Sequence, residues 1–325
     1  MNKQMLRQNV LPVITAMIWG VAFVAQSICA DYLAPFSINM LRSLIAAVFI
    51  FLMLLAVWLW RRARAKREGR PYTAEANGDV LGCRDAAQRK TLLLGGLLCG
   101  TALTASANLQ QFGINADTSS GKAGFITALY IVLVPLLGLF LKKRVGITVW
   151  GSVVLAVFGL YFLCVSEAFT IQTGDVYVMI CAFTFAVQIL LIDHFTVKVN
   201  GLALSLMQFI VVTLESAVFV AVFREPLTMS GMMACLPSLL YVGVFSSGVA
   251  YTLQIVAQKG SNPTVVSILF SLEAVFATVS GMLLLNENMS GREWIGCALM
   301  LAAVVLAQIP VNQKRKLRLK NETDS

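Results

Sequence analysis

"GTALTASANLQQ" (Gly100 to Gln111) and "GVFSSGVAYTLQ" (Gly243 to Gln254) lie 143 residues apart, and sliding the chain along itself by that offset pairs them without a gap. Gly100 then meets Gly243, Ala107 meets Ala250 and Gln111 meets Gln254; further along, Leu129 meets Leu272, Tyr130 meets Glu273 and Gly138 meets Gly281. A second offset, 166, sets "WGVAF" at Trp19 against "FAVQI" at Phe185, and Arg42 against Gln208. The second half of the chain therefore reads as a diverged copy of the first.

The copied unit is a set of membrane-crossing helices. Only 13% of the 325 residues are charged and 58% are hydrophobic, where a soluble domain carries about 25% charged residues. Crossing a hydrocarbon layer of roughly 30 Å takes about 20 apolar residues. Ten such windows can be drawn: 10–29, 36–60, 91–113, 124–141, 147–165, 175–192, 202–223, 232–254, 263–285 and 294–309. Short turns rich in Gly, Asn and Pro separate them, apart from one polar linker, 61–90, expected to be mobile. Five helices per copy is an odd number, so the two copies must insert in opposite orientations about a pseudo-two-fold axis in the membrane plane. The expected fold is all-α and integral to the membrane: ten transmembrane helices in two inverted five-helix repeats (8–165 and 175–310), with a basic tail at 311–325.

Charge orients this assembly. The 25 Lys and Arg outnumber the 16 acids, but the surplus sits in tracts such as "RRARAKR" (Arg61 to Arg67) and "KRKLRLK" (Lys314 to Lys320) that abut apolar runs; such tracts more often fix topology than bind nucleic acid, and no nucleic-acid partner is expected. With the N-terminus cytoplasmic, 21 Lys and Arg fall on that side and three (Lys122, Arg224, Arg292) on the other, as the positive-inside rule requires. Both termini are thus expected in the cytoplasm and the chain in the cell membrane, with membrane lipid as a partner. The first window has the look of a signal peptide, but the chain that follows is equally hydrophobic, so it reads as a retained helix. Seven scattered cysteines and a single histidine predict reduced thiols, no metal and no cofactor. "ADTSSGKA" lacks the first glycine and the Ser/Thr of a phosphate loop, so the driving force is expected to be a gradient.

Charges are costly inside a bilayer, and an intramembrane ionisable residue is a functional candidate by default. Three qualify: Arg42, Glu215 and Glu273. Arg42 is read as a substrate ligand, or as one partner of a buried ion pair with either acid. Since two glutamates face one arginine, one carboxyl must be neutral, hydrogen-bonded or wetted by a cavity, which makes Glu273 and Glu215 candidates for charge pairing or protonation. Thr104, Asn108 and Gln111 share a face of the third helix, and Ser247, Tyr251 and Gln254 the equivalent face of the eighth; both faces are candidate cavity linings. Tyr130, Gln188, Gln26 and Trp19 are weaker candidates. Gly96 and Gly100, in G-x-x-x-G spacing, predict a close helix contact.

The stretches "WGVAF", "PFSINMLR", "SSGKAGFITALYIVLVPLLGLFL", "TGDVYVMICAFTFAVQILLIDHF" and "SNPTVVSILFSLEAVFATVSGMLLLNE", in this order and spacing, resemble the EamA-type ten-helix branch of the drug/metabolite transporter superfamily. The resemblance implies a central cavity framed by helices one to four and six to nine, peripheral helices five and ten, and movement of small organic solutes by alternating access. Two departures stand out: Ala274 follows the helix-nine glutamate where a proline is usual, and "KKR" replaces the acid that often closes helix four. The expected function is export or exchange of amino-acid-like metabolites, with a small-molecule substrate and a homodimer as an open arrangement. The alternatives are a lipid or lipophilic-drug exporter, a membrane scaffold and, least favoured, an intramembrane enzyme, which lacks any nucleophile, base or metal cluster.

Overall fold

The first repeat is built from α1 (Leu11–Ala30), α2 (Pro35–Arg67), α3 (Ala86–Asn115), a broken α4 (Ser120–Ala128 and Tyr130–Phe140) and α5 (Ile147–Cys164). The second has α6 (Thr173–Phe195), α7 (Gly201–Phe223), an irregular α8, a broken α9 (Pro263–Phe270 and Glu273–Leu285) and α10 (Gly291–Gln308). α8 runs as Met229–Ala234, Leu236–Leu240, a π-helical stretch Tyr241–Ala250 and Tyr251–Gln258. This computed structural model describes residues 6–116, 118, 120–142, 145–164, 172–285 and 290–308; the basic tail, with Lys143 and Arg144, lies outside them.

Helix starts follow local chemistry. Pro35 and Pro263 open α2 and α9, where a missing N–H costs nothing. Asp85 accepts from Gln88 N at 2.7 Å to cap α3, and Asn200 accepts from Leu202 N at 2.9 Å to cap α7. α2 has no cap of its own. Glu225, just beyond α7, supplies one across the fold by accepting from Ser37 N at 2.7 Å and Phe36 N at 3.2 Å, a long-range cap that no local pattern announces.

The 61–90 linker departs from expectation. α2 continues through "RRARAKR" to Arg67, since Arg, Lys and Ala are strong helix formers and basic side chains suit a helix C-terminus. Beyond it a short turn of helix at Ala74–Asn77 and buried Cys83 bring the segment back onto the bundle. A Cβ on Gly82 would stand 2.7 Å from Asn200 Nδ2, so the stretch around Gly82 and Cys83 is packed against the start of α7, while most of 61–77 is exposed.

The main helix neighbours follow an exchange rule: adding or subtracting five from each number gives another observed contact. α3 packs on α6 as α8 packs on α1, α4 on α6 as α9 on α1, and α3 on α7 as α8 on α2, while α2–α7 and α5–α10 map onto themselves. Individual contacts repeat as well. A Cβ on Gly100 would lie 2.5 Å from Val211 Cβ, and one on Gly243 would lie 2.8 Å from Ile45 Cβ; Gly100 and Gly243 differ by the first offset, Ile45 and Val211 by the second. Gly96 meets Met207 on the same seam, the close approach that its spacing predicted.

The breaks in α4 and α9 are also equivalent. Leu129 N donates to Ile126 O at 3.2 Å and Leu133 N to Leu129 O at 3.4 Å; 143 residues later Leu272 N donates to Leu269 O at 3.3 Å and Phe276 N to Leu272 O at 3.0 Å. Each helix tightens by one i−3 bond immediately before Tyr130 or Glu273. α9 breaks here with Ala274, not proline, after the glutamate.

Large apolar side chains cover the outside. Only 28% of the apolar window of α2, and 28% of that of α7, is buried within the protein, and Phe51, Leu52, Leu214 and Val222 are among those facing out. An apolar exterior of this extent belongs in lipid. Among the described residues nine helices are long and apolar enough to cross a bilayer, and Ile147–Phe162 forms a shorter tenth. This is a multi-pass membrane protein.

Candidate functional site

The breaks in α4 and α9 meet at the centre of the bundle, where a cavity opens between the repeats. Its lining comes from α1, α2, α3, α4, α6, α8 and α9, none from the peripheral α5 and α10. The space is narrow, with a cavity volume of about 30 Å³. A few waters fit this shape, so a solute requires the helices to part.

One wall is cationic. Arg42, 5% exposed, donates from Nη1 to Gln26 Oε1 at 2.7 Å, from Nε to Ser247 Oγ at 2.9 Å and from Nη2 to Ser246 Oγ at 3.2 Å. Every one of these acceptors is neutral. Neither Glu215 nor Glu273 comes within ion-pair distance of it among the described residues, which corrects the expected ion pair. Two serines and an amide satisfy the guanidinium's geometry while leaving its charge uncompensated.

The same cavity is also lined by Glu273, 4% exposed, and Tyr130, 3% exposed, close enough to interact. Glu273 Oε1 and the Tyr130 hydroxyl are buried without a well-formed hydrogen bond. The repeat explains why they meet, since equivalent positions beside a two-fold axis face each other. Aromatic rings line the cavity too. Trp19 lies 4.9 Å from Tyr251 and 5.4 Å from Phe270, ring centre to ring centre, and its Nε1 donates to Ser246 O at 3.3 Å.

The other candidates distribute as follows. Trp19, Arg42, Tyr130, Tyr251, Gln254 and Glu273 line the cavity, with Gln26. Ser247 stands behind Arg42 as its acceptor, and Gln188 behind Gln254, whose Nε2 donates to Gln188 Oε1 at 3.2 Å. Thr104 bonds back to Gly100 O at 3.0 Å. Asn108 accepts from Asn39 Nδ2 at 3.0 Å and donates to Thr104 O at 2.8 Å, joining α3 to α2 away from the cavity. Gln111 holds Asn115 and Gln26 O. Glu215 accepts from Thr101 Oγ1 at 2.6 Å on the half-exposed α3–α7 seam.

Gln110, Thr127, Ser246, Phe185 and Ile189 line the cavity and were not read from the sequence. Gln110 donates to Thr127 Oγ1 at 3.1 Å; a polar pair split between a Gln-Gln step and a lone threonine in an apolar run was the available signal. On α3 the lining glutamine is Gln110, whereas on α8 it is Gln254, the equivalent of Gln111. The wide turns of the π segment just before Tyr251 change the angular phase of α8 relative to α3.

The sequence profile of the EamA-like transporter family matches residues 8–165 and again 172–308, one copy on each repeat. The chain belongs to this family. An "Uncharacterized transporter" from Archaeoglobus fulgidus is 28% identical over 299 residues, covering 92% of this chain and 84% of the relative. A solved structure, titled only "Crystal structure of protein", superimposes with a TM-score of 0.70 at 15% identity, over 93% of this chain and 96% of that one; this likeness bears on the fold alone. This EamA-like protein is therefore a membrane transporter, and the site to be interpreted is the cavity between its repeats.

Proposed function

We propose that the chain is a secondary carrier for small organic solutes bearing a carboxylate, amino-acid-like metabolites above all, working by alternating access through the central cavity. Arg42 carries this reading: a buried guanidinium on the cavity wall, hydrogen-bonded among the described residues to Gln26, Ser246 and Ser247, offers an uncompensated positive charge to an anionic group. Trp19 and Tyr251 supply an apolar surface for the rest of the solute, and Glu273 a pole of opposite character. The burial of Arg42, Gln26 and Glu273 favours a solute path over a lipid path. The charge bias of the loops supports a cell-membrane protein with both termini cytoplasmic, and the family resemblance suggests export or exchange.

Glu273 is the proposed proton-binding group, because it sits buried in the cavity with an unpartnered oxygen and such residues mark proton relays. The test is a thermal-shift and vesicle-flux screen of carboxylates, amino acids, amines and sugars, repeated on Arg42→Gln. A stabilising carboxylate that no longer binds the variant is the expected result. Solutes without an anionic group that bind wild type and Arg42→Gln alike would overturn it.

A further inference from the structure

A second pocket, remote from the cavity, opens where α2 leaves the apolar zone. It has a volume of about 620 Å³ and is lined by Arg61, Arg64, Arg70 and Arg84, with Glu68 as its acid. Three separate pieces of chain converge to make it: the polar end of α2, the turn and short helix of 70–77, and the stretch leading into α3. It arises because the linker folds back instead of trailing into solvent.

The charges do not cancel. Glu68 accepts from Arg64 Nε at 2.8 Å and reaches Arg70 Nη1 at 3.9 Å, and its hydrogen bond and proximity to Arg64 hold its carboxyl below the usual range, so it stays ionised. Arg61 and Arg84 have no carboxylate partner among the described residues. Like charges gathered around an open volume repel one another and attract anions. Guanidinium groups match phosphate oxygens in geometry as well as in charge.

Location narrows the ligand. Trp60 lines the same pocket, with the Arg64 guanidinium 5.7 Å from its ring centre. It stands at the end of the apolar window of α2, the depth at which indole rings sit among lipid headgroups. Tyr72 forms part of the far wall, its hydroxyl fixed on Gly78 O at 3.2 Å. Basic clusters immediately beyond a transmembrane helix recognise acidic headgroups.

We infer that this pocket is a binding site for a phosphate-bearing anion at the membrane surface. An acidic phospholipid headgroup and a soluble phosphate ester share this chemistry. Bound there, the anion bridges the end of α2, the helix that carries Arg42, to the segment entering α3.

Native mass spectrometry of the purified full chain tests the site, using phosphatidylglycerol, phosphatidylcholine and glycerol 1-phosphate as probes. Phosphatidylglycerol binds the wild type more tightly than phosphatidylcholine, and the Arg61→Gln/Arg84→Gln double variant loses roughly tenfold or more in that affinity. Glu68→Gln, which removes the pocket's acid, binds more tightly than wild type, a gain that misfolding cannot mimic. Arg292→Gln, on another part of the surface, leaves binding unchanged. Competition by glycerol 1-phosphate assigns the site to soluble phosphate esters, and its failure to compete assigns the site to lipid. Equal binding of the two phospholipids with no binding of the ester, or unchanged affinity in the double and Glu68→Gln variants, overturns the inference.

Discussion

The two repeats agree in their frame and differ in their centre. Gly100 against Val211 and Gly243 against Ile45 are the same contact made twice, and the breaks at Leu129 and Leu272 share their hydrogen bonds. Yet Tyr130 stands opposite Glu273, and Arg42 has for its counterpart Gln208, fully buried with neither amide atom hydrogen-bonded. α3 runs as a regular α-helix where α8 is π-helical. Backbone contacts must be repeated for the two copies to pack about an axis, whereas a chemically symmetric cavity offers no polarity to a solute with unlike ends. Divergence at two or three axial positions suffices to give the cavity a cationic and an acidic side.

The strongest way to break this comparison is to erase its main asymmetry. Arg42→Gln, which places on α2 the residue found on α7, is expected to weaken carboxylate binding about 10- to 100-fold by loss of a charge-assisted contact, measured by ligand-induced thermal shift. Retained affinity would mean that the polarity lies elsewhere. Gly100→Ala and Gly243→Ala sharpen the symmetric part: each Cβ meets a β-branched neighbour at under 3 Å, and each change should lower stability by about 1–3 kcal/mol. A large cost at one position and none at the other would show that the seams are not equivalent.

Asn108→Ala removes a link between α2 and α3 and should cost on the order of 1 kcal/mol while leaving solute affinity intact, since the residue lies off the cavity. The axial pair yields the smallest stability effect and the most specific readout. Tyr130→Phe deletes a hydroxyl that makes no well-formed hydrogen bond and should change stability by less than about 1 kcal/mol. Glu273→Gln should leave the fold intact and abolish the pH dependence of flux in vesicles. Flux that responds to pH equally in wild type and Glu273→Gln removes the glutamate from proton coupling.

Much of the fold was legible because its signals are local or periodic. Hydropathy marks each crossing, and an offset of 143 residues exposes the duplication. Errors arose where a residue's surroundings are set by distant chain. The basic run after Trp60 reads as a linker, yet helix propensity carries α2 to Arg67 and a contact with Asn200 holds the segment down. Glu215 reads as a buried acid at the level of Arg42, but rotation of α7 turns it toward Thr101. Three-residue and four-residue spacing correctly grouped Thr104, Asn108 and Gln111, yet that spacing cannot say which way the shared face points.

The sequence by itself determined that this chain crosses the membrane in two related halves, that its intramembrane charges are Arg42, Glu215 and Glu273, and that Tyr130 and Glu273 are equivalent. These are properties of composition and interval. Tertiary structure alone decided that Arg42 would be held by an amide and two hydroxyls in place of a carboxylate, and that Gln110 would face the cavity ahead of Gln111. The reason is rotational: each helical residue advances its side chain by roughly 100°, so the packing of neighbouring helices, not the one-dimensional pattern, selects which polar groups meet.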